Sequence, residues 1–296
     1  MENLRCNLCP EPGSYADALD TARVPSNVRE FKSENFTVWR CRACGSLHSK
    51  EEIDYSRYYA HYPMKKQWMD FHARVAMGVR YRRLVRAGLK KDHSVLDFGC
   101  GVGHFVRFLR AKGISSVAGY DKFNDASADP AVLDRKYDFV VSQDVIEHVD
   151  SPRELLTELS RCLAPDGVLC VGTVDAERID LRDPNHRGGP LHQPHHRHLL
   201  SYRALLRLAA DCGLTPIQTY HRWYYSSWWL LGCNAPFIDA YITRAGDFDS
   251  GFEPFQLGLM LRSPRLVFLA VFGCYVTDIN MTVLFKKADA GTRLTE

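Results

Sequence analysis

Residues 95–105 read Val95-Leu96-Asp97-Phe98-Gly99-Cys100-Gly101-Val102-Gly103-His104-Phe105, and the rest of the chain takes its order from them. A short apolar run ends in an acid, and three glycines then alternate. Phe105, Val106, Phe108 and Leu109 begin an apolar helical spacing after them. The pattern predicts a strand, a tight loop and a helix. Glycines in such a loop let backbone N–H groups come close to a ligand, because no Cβ atom fills the space. Gly113 stops the helix, and Ser116-Val117-Ala118-Gly119-Tyr120 reads as a second strand closed by Asp121. Tyr137 to Asp144 reads as a third strand, followed by Val145-Ile146-Glu147-His148.

This order resembles the class I S-adenosylmethionine-dependent methyltransferases over roughly residues 90 to 225, with a return near 278 to 288. Asp97, Gly99, Gly101 and Gly103 match the family's acid-x-Gly-x-Gly-x-Gly motif, and Asp121 matches its second-strand acid. Glu147, His148, Asp150 and Pro152 match a stretch after the fourth strand of that fold, and Pro165-Asp166-Gly167 the turn before the fifth. A dinucleotide-binding fold reads Gly-x-Gly-x-x-Gly instead, which this chain lacks. The resemblance implies an α/β fold, a Rossmann-like seven-stranded sheet with helices on both faces. It implies that Asp97 and the three glycines hold the methionine part of S-adenosylmethionine. Asp121 suits the ribose diol, since a carboxylate accepts from both hydroxyls. The linker from Asp121 to Tyr137 shows no clear strand, so the adenine contacts fall to Ser142 and Gln143.

The chain has 296 residues, 46% hydrophobic and 25% charged, which makes it globular rather than disordered. A net charge of +3 is too small to imply nucleic acid. The first residues lack the apolar run of a signal peptide. With ten cysteines this points to a reducing cytoplasm, where paired cysteines are metal ligands rather than disulfides. Cys6-x-x-Cys9 and Cys41-x-x-Cys44 are two such knuckles, and together they complete a tetrahedral zinc site with no open position. The expected division is a zinc ribbon over 1–48, an aromatic arm and basic helix over 49–91, and a methyltransferase core over 92–225. A hydrophobic insertion over 226–277 follows, and then the last core strand and tail over 278–296.

In the arm, Tyr58, Tyr59 and Tyr62 either line a substrate pocket or fasten the ribbon to the core. A ribbon followed by a Tyr-Tyr segment resembles the amino-terminal arm of bacterial methyltransferases acting on sugars and other small metabolites. From Met64 to Lys91 the spacing is helical, with Trp68, Phe71, Val75, Val79, Leu84 and Val85 as its apolar positions. Nine basic residues there face one acid, which reads as a solvated helix face, or else as a phosphate contact. Ser151-Pro152-Arg153-Glu154 is a capping box. The loop from Asp175 to Leu200 is rich in histidine, and Ser201 can cap the helix from Tyr202 to Cys212. Pro194-His195-His196 with Ser201 resembles a pattern of small-metabolite and sugar methyltransferases in which His196 is the matched histidine, and His195 is assigned to substrate. The insertion carries Trp228-Trp229 and Leu266 to Phe272, a run too short to cross a bilayer. It reads as a lid, a dimer surface or a patch on a membrane, with lid and dimer ahead of membrane.

Methyl transfer needs alignment and, for a hydroxyl, removal of a proton. Asp144, Glu147 and His148 share one face if the chain turns helical after the third strand, and such a set can bind a divalent ion such as Mg2+. A similar stretch holds a metal in ubiquinone-biosynthesis O-methyltransferases and in small-RNA 2′-O-methyltransferases. In the latter a further histidine comes from the loop after the fifth strand, a part open to His192, His195, His196 or His198. Without a metal, His148 and His196 act as acid/base or substrate-binding residues. The reading is methyl transfer to a small hydroxylated or amino metabolite, a sugar or specialised product. The rivals are an RNA methyltransferase gripping phosphates with ribbon and basic helix, and a scaffold without catalysis.

Overall fold

The computed structural model describes residues 4–288 except 12, 61, 63–70, 187–188, 223, 225–231, 233, 255 and 277–278, and the side chain of Asn185. At the amino terminus, β1 (Thr21–Pro25), β2 (Asn35–Arg40) and β3 (Leu47–Ser49) form an antiparallel meander. Helices α1 (Tyr55–Ala60) and α2 (Phe71–Arg86) follow. The expected start of α2, residues 64 to 70, lies outside the described residues. Phe71 and Val85, expected on its apolar stripe, are exposed, and the inward positions are Met77, Val79, Arg83 and Leu84. Arg83 is buried because its guanidinium has partners: it donates to Thr282 Oγ1 at 2.6 Å and to the Arg222 carbonyl at 2.9 Å.

The central sheet contains β4 (Ser94–Phe98), β5 (Ser116–Tyr120), β6 (Tyr137–Gln143), β7 (Leu163–Val174), β9 (Leu214–Tyr220) and β10 (Asn280–Lys287). Its order is β5-β4-β6-β7-β10-β9. The first four strands run parallel, and β10 is antiparallel to both neighbours. Alternation along the strands divides the core. Val95, Val117, Phe139 and Val141 pack on α2 and α3 (His104–Ala111). Leu96, Val140, Leu169 and Val171 pack on α4 (Pro152–Cys162) and α5 (Tyr202–Asp211). Each of the latter helices begins on a serine whose Oγ accepts an N–H, Glu154 on Ser151 at 3.3 Å and Ala204 on Ser201 at 3.0 Å. The expected turn Pro165–Gly167 lies within β7.

Seven strands were expected in this sheet, and the described residues form six. The stretch between β5 and β6 makes two short 3-10 turns instead. Asn124 and Asp129 accept from the N–H groups of Ala126 and Ala131, and Pro130 follows, so side chains compete for the backbone groups a strand needs.

The amino-terminal meander does not stand apart. Its outer strand β3 pairs with β8 (His198–Leu199), supplied by the histidine-rich loop after β7. Cys6, Leu8, Trp39 and Cys41 join the same apolar cluster as Leu96 and Leu156. The buried Arg40 donates to the carbonyls of Ala176 at 2.8 Å and Ile179 at 2.7 Å. Between β9 and β10 stand α6 (Ala235–Ala245), α7 (Leu257–Leu261) and α8 (Pro264–Phe272), with a small core of Phe237, Tyr241, Leu266 and Leu269. Arg29, between β1 and β2, ties this subdomain to the amino-terminal meander through Asp247 at 3.0 Å and Glu253 at 2.7 Å.

Candidate active site

At the carboxyl end of β4 the chain turns through Gly99, Gly101 and Gly103, all with positive φ. The N–H groups of Gly99 and Cys100 donate to the Tyr120 carbonyl at 2.7 and 3.1 Å, which closes the loop against β5. A Cβ on Gly99 would stand 2.3 Å from Val145 Cγ2, so the loop and the turn after β6 touch only because that residue is glycine. Asp121 accepts from the N–H of Gly101 and that of Phe123, each at 2.8 Å. Asp97 is buried beneath the loop, and its carboxyl is pushed up to about 6 by burial; Asp121 pushes the same way and Arg80 opposes.

Above these strand ends opens a cavity of about 1050 Å³. Pockets for small molecules span roughly 300–1,000 Å³, so this one stands at the upper end of that range. Its wall includes Asp97, Gly99, Gly101, Asp121 and Gln143 around the glycine loop and Tyr59, Tyr62, Glu147, His148, His192 and His196 around the histidines, and Phe123, stacked on Tyr59 at 4.3 Å, joins the two groups. The insertion adds Ile238, Asp239, Ile242, Phe248 and Phe252. Glycine-loop and histidine groups therefore belong to one chamber, at the strand termini where open α/β sheets bind ligands.

In the histidine group, one ligand atom each from Glu147, His148 and His196 lies within 4.8 Å of the others. Both Glu147 oxygens and His148 Nδ1 are buried without a hydrogen-bond partner. His196 Nδ1–H donates to the Pro190 carbonyl at 2.7 Å, which fixes the tautomer and leaves Nε2 as a lone pair. Burial, with His196 and His195 adding, holds the His148 imidazole well below its ordinary range. Burial lowers His196 to about 3 and His195 to about 4, so these rings are neutral at physiological pH. Burial and then Asp144 push Glu147 well above the carboxylate range. Burial thus keeps the rings neutral with their lone pairs available, an arrangement suited to accept a hydrogen bond or to coordinate a cation.

Asp144 stands outside this group. The chain does not turn helical after β6; residues 144–150 form turns, and Asp144 has φ +56°. Its Oδ1 instead accepts from Tyr224 Oη at 2.6 Å. Three other expected site residues lie behind the wall. Gly103 supplies the left-handed N-cap of α3. Tyr58 packs on Phe31 and Phe36 and donates to Glu34 Oε2 at 2.5 Å. His195, fully buried, stacks on His192, meets Tyr62 at a tilt, and donates from Nε2 to the Tyr58 carbonyl at 3.4 Å. Arg80, Phe123, Asp239 and Phe248 line the cavity and were not singled out from sequence. Helical spacing does not tell which of many arginines turns inward, and the insertion carries no motif.

Cys6, Cys9, Cys41 and Cys44 come together at the foot of the amino-terminal meander. Their Sγ atoms are 3.6 Å (Cys6–Cys9), 3.7 Å (Cys6–Cys44) and 3.9 Å (Cys9–Cys41) apart. A tetrahedron with bonds of about 2.3 Å to its centre has edges of about 3.8 Å. The hydrogen bond shared with Cys6 holds the Cys44 thiol down to about 3. This cluster braces the active-site turn: Asn7 Nδ2 donates to the Asp150 carbonyl at 2.8 Å, and Ser201 Oγ to the Cys44 carbonyl at 2.6 Å. The buried His48 and His198 meet at 2.9 Å between their Nδ1 atoms.

A parallel α/β sheet with a glycine-rich first turn, an acid ending the second strand and a chamber over both is the architecture of a class I S-adenosylmethionine-dependent methyltransferase. The chain belongs to the family described as Methyltransferase domain, which matches residues 61–219. Among curated proteins it is similar to the mitochondrial ubiquinone biosynthesis O-methyltransferase of Dictyostelium discoideum, at 27% identity over 28% of this chain and 35% of that one. The matched segment thus spans about a third of that relative's length. Among solved structures it is similar to a chain of the Haloferax volcanii complex that contains the Trm112 methyltransferase activator. That likeness has a TM-score of 0.50 at 17% identity, and covers 81% of this chain and 100% of that one. It is also similar to the Burkholderia thailandensis 1,6-didemethyltoxoflavin-N1-methyltransferase, with a TM-score of 0.44, 13% identity, and coverage of 86% and 96%. At these identities the structural likeness concerns the fold.

Proposed function

We propose that this methyltransferase transfers its methyl group to a hydroxyl of a small molecule, with Glu147, His148 and His196 handling the hydroxyl proton. The observation that carries the reading is the cluster of unpartnered Glu147 oxygens and neutral imidazole nitrogens in the chamber that also contains the glycine loop. When bound, S-adenosylmethionine supplies an already activated methyl group. Asp97 would hold its ammonium, Gly99 and Gly101 would leave room for its methionine part, and Asp121 and Gln143 would take the ribose and adenine side. Tyr59, Tyr62 and Phe248 hold the acceptor and exclude water. His196 Nε2, its lone pair set by the Pro190 carbonyl, accepts the hydroxyl's hydrogen bond and takes its proton as the oxygen gains the methyl and becomes acidic.

The same three residues fit a divalent cation: one carboxylate oxygen of Glu147 and a nitrogen of each imidazole, within 4.8 Å of one another, make an O/N donor set. Such an ion supplies Lewis acidity that lowers the pKa of a hydroxyl beside it. The four thiols of Cys6, Cys9, Cys41 and Cys44 would hold a structural zinc, since their spacing fits its bond length and leaves no position for substrate. The test is methyl transfer to a panel of catechols, sugars and matching amines, with Mg2+ and with chelator. Methylation of hydroxyl acceptors that Glu147→Gln or His196→Ala abolishes supports the reading. Methylation of amines alone, or full activity in both variants, refutes it.

A further inference from the structure

The segment from Leu257 to Val276 contains two arginines, Arg262 and Arg265, and no acid. It forms α7, α8 and a closing 3-10 turn. One side of α8, Leu266 and Leu269, packs on Phe237 and Tyr241 of α6. The opposite side is also apolar: Phe268 is 53% exposed, Phe272 49% and Tyr275 67%, with Val271 between them and Leu261 of α7 beside them at 65%. Spacings of three and four residues put Phe268, Val271, Phe272 and Tyr275 on one stripe. A helix apolar on all sides is ordinarily buried on all sides. Here the described residues cover only one.

We infer that the outer face of the α7–α8 hairpin docks on an anionic lipid surface. Its chemistry is that of an interfacial helix, an aromatic and aliphatic stripe with exposed arginines at the turn where the two helices meet. The nine residues of α8 fall far short of the roughly twenty needed to cross a bilayer, so it lies in the plane of the interface. A two-fold contact with a second copy would set Arg262 and Arg265 near their own counterparts, and residues 257–276 contain no acid to receive them. Anionic headgroups do receive them. The subdomain that carries this face also lends Ile238, Ile242 and Phe252 to the cavity wall, so docking brings that wall to the lipid surface.

The test is co-sedimentation of the full chain with vesicles of phosphatidylcholine alone and with about one third phosphatidylglycerol. The expected result is binding to the anionic vesicles that weakens with salt. Phe268→Glu with Phe272→Glu should lower the partition more than about tenfold. Arg262→Glu with Arg265→Glu should lower it on the order of thirtyfold and remove the salt dependence. S-adenosylhomocysteine affinity reports that each variant is folded, and Ile217→Glu, an exposed apolar position on β9, should bind vesicles as the parent does. No binding to anionic vesicles, or binding that neither pair of substitutions changes, overturns the inference. So does a concentration-dependent dimer that Phe268→Glu with Phe272→Glu dissociates while vesicles bind nothing.

Discussion

Asp97 should make cofactor affinity depend on pH in a window set by its burial. Its carboxyl is raised from the ordinary 3.8 to about 6, mainly by burial. Two units correspond to about 3 kcal/mol held against the ionised form. The folded chain keeps this proton where the unfolded chain has lost it. The contribution of Asp97 to stability is therefore largest below about pH 4, declines as pH rises to about 6, and is constant above. Binding follows the opposite course. The methionine ammonium of the cofactor favours the carboxylate, so between about pH 4 and 6 binding must expel a proton. S-adenosylhomocysteine affinity should be level above about pH 6.5 and fall about tenfold for each unit below 6. Asp97→Asn should remove the slope and weaken binding at pH 7.5 on the order of a hundredfold, since it leaves the ammonium without its buried partner. Calorimetric titrations from pH 5 to 8 decide the matter. A level affinity across that range, or the same slope in Asp97→Asn, refutes the reasoning.

Other perturbations read the remaining parts of the site. Gly99→Ala forces a Cβ to 2.3 Å from Val145 Cγ2 at φ +75°, and should cost on the order of 2–4 kcal/mol in thermal denaturation and abolish cofactor binding. Cys44→Ala, or chelation of the parent chain, should remove about one zinc per chain by elemental analysis and lower Tm by several degrees; a parent chain that holds no zinc contradicts the assignment. Glu147→Gln and His196→Ala should each lower kcat at least about a hundredfold while leaving S-adenosylhomocysteine affinity within about twofold. Loss of cofactor affinity in step with kcat would mark them as structural.

The parts legible from sequence were those whose signal is local. Gly99, Gly101 and Gly103 read as a loop because only glycine adopts those φ values without strain. Ser151 and Ser201 read as caps because the accepting oxygen and donating N–H are three residues apart. Buried parallel strands read as apolar runs because both faces are covered. What was hidden depends on partners distant in sequence. β8 is two residues long and is a strand only by its pairing with β3. Asp144, Glu147 and His148 have helical spacing, yet the turn after β6 sends Asp144 to Tyr224 and gives its place to His196 from another loop. Arg83 resembles its neighbours on a basic helix until Thr282, nearly two hundred residues later, receives it.

The pairing of His48 with His198 joins positions 150 apart in the chain. During synthesis at about 5–20 residues per second, the cysteine knuckles are complete roughly 8 to 30 s before the partner of β3 is made. Until then β3 offers an open edge, the kind of edge on which chains aggregate. The amino-terminal meander and the catalytic loop therefore finish folding in one late event. A chain halted before residue 196 lacks both the histidine proposed to take the proton and the strand that shields its first sheet.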